Sequence, residues 1–198
     1  MSETSNLSRV LESGTFAVTA EITTPKGADL SSLAQRAELL RGYVDAVNVT
    51  DNQSASVHLS AQACAAELVR LGVEPIFQIT CRDRNRIALQ SDVLGAIGLG
   101  ARNVLCLTGD HQHFGDETQA KGVFDLDSVQ LIAAAKGMMD GKDIAGNKLD
   151  GVPNFFLGGV VSPGLDPIEL QIMKMEKKVA AGAQFIQTQA VFEADKFR

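Results

Sequence analysis

The chain has 198 residues, of which 45% are hydrophobic and 21% charged, a balance that excludes a disordered polymer and fits one large globular domain. Its formal net charge of -6 excludes a surface built to grip nucleic acid or anionic lipid, because those partners need clustered cations and Arg82, Arg84 and Arg86 form only a short alternating stretch around Asp83. No secretory signal opens the sequence and no apolar run approaches the roughly 20 residues of a membrane helix, so a cytoplasmic protein is expected.

Short β-branched runs then alternate with longer helical ones. Residues 16–22 (FAVTAEI) predict a strand, followed by a helix over 29–41 with Asp29 as its N-cap. Residues 44–49 (VDAVNV) predict the second strand, and an alanine-rich helix over 58–71 closes on Gly72. The third strand is expected at 75–80 (PIFQIT), with a helix from about 86 to 99 and a fourth strand at 103–107 (NVLCL). After a long loop come a helix over 126–139, a fifth strand at 154–161 (NFFLGGVV), a helix over 168–181 and a sixth strand at 184–188 (QFIQT). The final "FEADKFR" reads as the start of another helix.

Three helices end on variants of one phrase, "RLGVEPIF", "GLGARNVL" and "AAGAQFIQ", in which a glycine stops the helix shortly before a strand. Strands joined by helical crossovers make a parallel sheet covered on both faces. A repeat of roughly 30 residues fits either a (β/α)8 barrel or an open doubly wound sheet. Polar side chains stand at the C-terminal end of nearly every strand: Glu21, Thr50 and Asp51, Gln78 and Thr80, Asp110, and Gln189. A barrel collects its site from many strand ends at one rim, so the expected fold is an α/β (β/α)8 TIM barrel. With about six βα units present, residues 1–198 read as a single barrel catalytic domain whose C-terminal units are missing. Unpaired sheet edges in such a fragment predict poor solubility or inactivity unless a partner or further sequence completes the sheet.

"GAIGLG" at 95–100 imitates a dinucleotide loop, but it ends a helix and precedes a strand, the reverse of the order that brings helix amides to a pyrophosphate. Cys64, Cys81 and Cys106 are widely spaced without a CxxC pair, so they are expected as reduced, buried thiols. Glu21 closes the first strand before "TTPKG". Partial burial would raise its pKa toward the range of a general acid, and an ion pair with Lys26 is the alternative. Asp110 follows Thr108 and Gly109, where a glycine admits a closely approaching ligand, although an aspartate there also caps loops. His111 and His113 could join Asp110 or Asp116 around a metal, but a two-residue spacing points side chains the same way only on a strand, so no metal is expected.

The series "VTAEITTP", "VDAVNVTDN", "PIFQITCRDRNR", "NVLCLTGD" and "MEKKVAAGAQFIQTQAVFEADKF" resembles the methylenetetrahydrofolate reductases, flavin-dependent (β/α)8 barrels of one-carbon metabolism and methionine biosynthesis. Leu107-Thr108-Gly109-Asp110 matches the family's Leu-Arg-Gly-Asp, and Lys178 with "AGAQFIQTQ" matches a second motif. The resemblance implies that Glu21 is the general acid that helps open the five-membered ring of the folate. It places Asp110 beside flavin and pterin, and gives Gln189 a hydrogen bond to the folate. Thr50, Gln78, Thr80, Leu107, Thr108, Gly109, Asp110 and Lys178 are implied to touch the flavin, with Phe124 near it as an aromatic contact. Lys178 read alone, beside Lys174 and Lys177, has one of several solvated lysines as its alternative reading. Gln78 stands where the best-known members have histidine, Thr108 removes their fixed cation, and "GGVVSPGLDP" lacks their tyrosine and histidine, which leaves FAD or FMN as the flavin.

The implied reaction is reduction of 5,10-methylenetetrahydrofolate to 5-methyltetrahydrofolate with NAD(P)H or another electron donor, in ping-pong order over one flavin face. The implied partners are the folate and either further copies of the chain or a larger reductase complex, with no nucleic acid and no membrane. A non-catalytic or electron-accepting barrel subunit is the rival, against which two costly carboxylates at one rim argue. A metal-dependent aldolase using His111, His113 and Asp110 is the third, and it predicts bound divalent metal without visible colour.

Overall fold

The computed structural model describes residues 4–197. In chain order the elements are α1 (Asn6–Glu12), β1 (Thr19–Ile22), α2 (Ser31–Leu40), β2 (Ala46–Val49), α3 (Ala61–Arg70), β3 (Pro75–Thr80), α4 (Arg86–Gly98), β4 (Asn103–Leu107), α5 (Ser128–Met139), β5 (Phe156–Val161), α6 (Ile168–Ala181), β6 (Phe185–Thr188) and α7 (Ala194–Phe197). All six strands are parallel and lie side by side in sequence order. An open doubly wound sheet reverses direction at a switch point, and no reversal occurs here. The strands therefore form the arc of a (β/α)8 barrel wall, with β1 and β6 as its free edges.

Strand alternation divides the apolar residues into two layers. Val47, Val49, Phe77, Ile79, Val104, Cys106 and Leu157 point outward and pack against the helices, joined by Leu33, Leu68, Leu89, Leu131 and Ile132. Ala46, Ile76, Leu105 and Phe156 point inward and fill the floor of the arc with Leu7 from α1. Helix α1 has too few residues for an independent helix, since isolated helices shorter than about 12–15 residues are marginal. It is held from outside: Glu74 accepts the Asn6 and Leu7 amides at 2.6 and 2.9 Å, and Ser5 caps it by accepting Ser8 N at 2.8 Å.

Several boundaries differ from the sequence expectation. Strand β1 begins at Thr19, leaving Phe16 and Val18 exposed, because this edge has a neighbour on one side only. Asp29 accepts Ser31 N at 2.8 Å but lies one residue before the capping position, which Leu30 occupies without a side-chain bond. Helix α3 starts at Ala61 with Ser60 as cap, and the His58 amide is taken instead by Asn52 Oδ1 at 3.0 Å. The three helix-ending glycines, Gly72, Gly100 and Gly182, all have positive φ, as a left-handed stop requires. At the far edge α6 is mostly exposed, including Ile172, Met173 and Val179.

Candidate active site

Above the apolar floor the inward positions turn polar. Asn48 and Gln78, 3% and 7% exposed, form the next layer, with Glu21 beside Asn48 in the strand register. One amide joins all three: Gln78 Nε2 lies 3.2 Å from Glu21 Oε2 and 3.2 Å from Asn48 Oδ1 and donates to both. Alternation alone places these residues on one face, because each lies an even number of positions from an inward apolar residue of its own strand or, for Glu21, opposite one that does. Over this layer opens a cleft of about 550 Å3.

Thr50, Thr80 and Gln78 form one wall of the cleft, and Leu107, Thr108, Gly109 and Asp110 form the next. Glu21 enters from the β1 edge, and Gln189 and Lys178 enter from the β6 side. Glu21 and Asp110 thus share one rim, as the barrel expectation requires. Glu21 is nevertheless exposed, because β1 is an edge strand, so the expected partial burial is absent. Lys26 does not pair with it; its ammonium meets Asp116 at 2.7 Å. Phe124 does not line the cleft, since the loop at 110–125 folds back and sets its ring against His111, with centroids 6.4 Å apart.

The hydroxyls on the first wall are engaged in tying loops. Thr50 Oγ1 donates to Gln53 Oε1 at 2.8 Å and accepts Thr24 N at 3.2 Å. Asp51 Oδ2 accepts both the amide and the hydroxyl of Thr80 at 2.9 Å. Arg84 closes on Asp51 in a two-pronged pair at 2.7 and 3.0 Å and reaches Asp92 at 2.7 Å. Asp51 is buried and Arg84 partly so, and the pair satisfies the Asp51 carboxylate away from water. Arg86 meets Asp125 at 2.8 Å, and its hydrogen bonds hold that carboxyl down at about 2.

Helix α5 starts beside the cleft. Asp127 and Gln130 form a reciprocal capping box at 2.8 and 2.9 Å, an arrangement worth about 1 kcal/mol. Thr108 Oγ1 accepts the next amide, Ser128 N, at 3.3 Å, which fastens the end of β4 to the helix start. Across the cleft, Lys178 is half-buried rather than solvated: Nζ donates to the Val160 carbonyl and the stem lies over Gly159, where a Cβ would come within 3.1 Å of Lys178 Cδ. Burial lowers its pKa below the ordinary lysine value.

Some wall residues were not singled out by sequence reasoning. Gln171 and Lys174 share the cleft-facing side of α6 with Lys178, a spacing of i, i+3 and i+7 that marks one helix face. Arg82 and Asn52 also line the cleft, and no local sequence signal marked either as a cleft residue. Among the described residues no three His, Cys, Asp or Glu side chains converge as a metal site. The three thiols are buried and free; burial pushes Cys64 up to about 11 and Cys81 up to about 12. No helix among the described residues is long and apolar enough to cross a membrane.

Two solved structures share this architecture. A protein from Clostridium thermocellum that binds two copies of 5-methyl-5,6,7,8-tetrahydrofolic acid is 14% identical, with a TM-score of 0.62, over 96% of this chain and 60% of the other. A 2,3-dimethylmalate lyase of the PEP mutase/isocitrate lyase superfamily is 13% identical, with a TM-score of 0.61, over 96% of this chain and 65% of the other. Such identities establish the fold alone, and the chain spans less than two thirds of either structure's length. No curated protein matches the chain in sequence. The family model for methylenetetrahydrofolate reductase matches residues 6–198, which include every strand, every wall of the cleft and both rim carboxylates, and the chain belongs to that family.

Proposed function

We propose that the chain carries the site for flavin-dependent reduction of 5,10-methylenetetrahydrofolate to 5-methyltetrahydrofolate, with NAD(P)H as electron donor, in the cytoplasm. The observation behind this reading is that Glu21, Gln78 and Asp110, from three different strand ends, line one cleft. Folate binding by the Clostridium thermocellum protein of the same fold supports the substrate class.

The donor set suits a flavin, FAD or FMN. Leu107, Val160 and Leu165 offer an apolar wall for a ring, Thr50, Gln78, Thr80, Thr108 and the Gly109 backbone offer hydrogen-bonding groups for its edge and chain, and Lys174 and Lys178 offer cations for phosphate. A volume of about 550 Å3 falls within the roughly 300–1,000 Å3 of small-molecule and cofactor sites. When bound, the flavin supplies the hydride chemistry.

The protein's own groups then have defined tasks. Gln78 donates to Glu21 Oε2, which leaves Oε1 as the oxygen that carries a proton to the folate's five-membered ring. Asp110 sets a negative charge at the mouth, and Gln189 provides an amide for the pterin from the opposite edge.

The test is the visible absorption spectrum of the purified full-length protein during titration with FAD and with FMN, followed by steady-state kinetics. Flavin bands retained through gel filtration and parallel double-reciprocal plots are expected. A colourless protein that binds neither flavin, or intersecting plots, would overturn the reading.

A further inference from the structure

Arg82, the second residue after β3, is only 3% exposed, although it lines the cleft. Its guanidinium is directed at three separate loops. Nε and Nη2 both grip Asp83 at 2.8 Å, Nη2 also donates to the Asn52 carbonyl at 3.0 Å, and Nη1 donates to the Asp110 carbonyl at 3.2 Å. An arginine has about five N–H donors, and most of them are committed here to fixed acceptors.

The rest of the residue reinforces the same contacts. A Cβ on Gly109 would stand 3.1 Å from Arg82 Cβ and from Thr80 Cβ, so the corner before Asp110 packs directly on the arginine stem. That corner has φ +90, which glycine adopts and other residues resist. The Arg82 carbonyl accepts Val123 N at 2.8 Å, at the far end of the loop that begins with Asp110. One residue therefore pins this loop at both ends. It also pins the loop after β2 at Asn52, whose φ of 44 is uncommon for a residue with a side chain. Asn52 Nδ2 completes the circuit by reaching Asp83 at 3.4 Å.

We propose that Arg82 is the positioning residue of the cleft, fixing the backbone at Asp110 and Asn52 so that the acidic rim and the wall after β2 keep one separation. What Asp110 contributes to catalysis rests on the reading above, whereas where Asp110 is held does not. A lysine cannot replace the planar fork, because it is a point charge without paired, divergent donors. Loss of the guanidinium removes the donor to the Asn52 and Asp110 carbonyls and leaves Asp83 only its long contact with Asn52, which releases the loops while the strands beneath remain paired.

The experiment compares the full-length protein with R82Q, R82K, D110N and the double variant R82Q/D110N. Hydrogen exchange of R82Q is expected to quicken by about tenfold or more at 52–55 and 109–115, with β3 and β4 amides unchanged. Exchange in those loops equal to that of the unsubstituted protein overturns the proposal, whether or not a flavin binds. Should R82Q fail to fold, R82K supplies the same comparison with the charge retained. In turnover, R82Q is expected to lose about tenfold alone but less than about twofold on top of D110N, since the route through Asp110 is then already gone. Losses that multiply, or full recovery of turnover in R82K, would show that Arg82 acts as a separate charge and not by position. Absence of flavin chemistry in the unsubstituted protein would sink the functional reading alone, and the exchange result would still decide the role of Arg82.

Discussion

Strands β2 and β3 are buried along their whole length, whereas β1 and β6 at the ends of the sheet are largely open. The loops above the two kinds of strand differ in the same way. Over the middle, Asp51, Thr80, Arg84 and Asp92 interlock through short bonds, and Arg82 is bonded separately to Asp83, Asn52 and Asp110. Over the edges, Glu21 and Gln189 stand exposed, Glu21 with one amide contact and Gln189 held by its backbone to Val161. The interlocked bonds lie beside Thr50, Thr80 and Gly109 of the proposed flavin wall, and the proposed folate contacts Glu21 and Gln189 lie at the two ends of the described sheet.

The largest effect expected from this contrast is in the middle. Asp51→Ala removes the buried partner of Arg84 and two acceptor bonds to Thr80, and breaking a buried pair costs about 3–5 kcal/mol. For a chain of this size a loss of about 3 kcal/mol lowers Tm by roughly 6–12 °C. Thermal unfolding of the variant within a degree of the unsubstituted protein would break the comparison, since the middle would then not be where stability resides.

Glu21→Gln at the edge should behave in the opposite manner. Its side chain is exposed, so stability should change by no more than about 0.5 kcal/mol. Folate turnover should fall by about 100- to 10,000-fold, the usual contribution of a positioned acid, while reduction of bound flavin by the nicotinamide donor continues. Stopped-flow measurement of the two half-reactions separates these. Equal loss in both halves would mean that the edge also shapes the cofactor wall.

How much of this contrast could be read in the sequence depends on the range of the contacts involved. Strands β3 and β4 and helix α6 are legible to the residue because a short apolar run or a helical period is enclosed by glycine and proline signals. The inward polar layer is legible too, since alternation within a strand is a local property. Helix α1 is not, because seven residues carry no full apolar period and, beyond its local Ser5 cap, its first amides are held by Glu74, 68 positions away from Asn6. The arginines after β3 look like a solvated stretch, yet Arg82 is buried and Arg84 partly so, with partners at Asp110 and Asp51, 28 and 33 positions distant. Nothing local distinguishes a buried, paired arginine from an exposed one. The strand-end residues were found and the residues that hold them were missed for this one reason.

The smallest expected effect tests the border between the two regions, where Asp125 ends the loop that starts at Asp110. Its carboxylate accepts Arg86 N, Nε and Nη2 at 2.8, 2.9 and 2.8 Å, on the first turn of α4. Hydrogen bonds to Arg86 lower its pKa from 3.8 to about 2 in the folded chain. A carboxyl whose folded pKa is depressed contributes stability that is complete above the unfolded value and fades as pH falls through the folded one. Between neutrality and about pH 4 the difference in denaturant midpoint between Asp125→Asn and the unsubstituted protein should therefore be constant. It should shrink from pH 3.8 toward about 2 and vanish below, because the native carboxyl is then protonated as well. The pair is exposed on the arginine side, so added salt should reduce the difference at neutral pH. A difference that grew on acidification would mean that Asp125 is held by neutral hydrogen bonds, and the loop would belong to the rigid middle and not to its border.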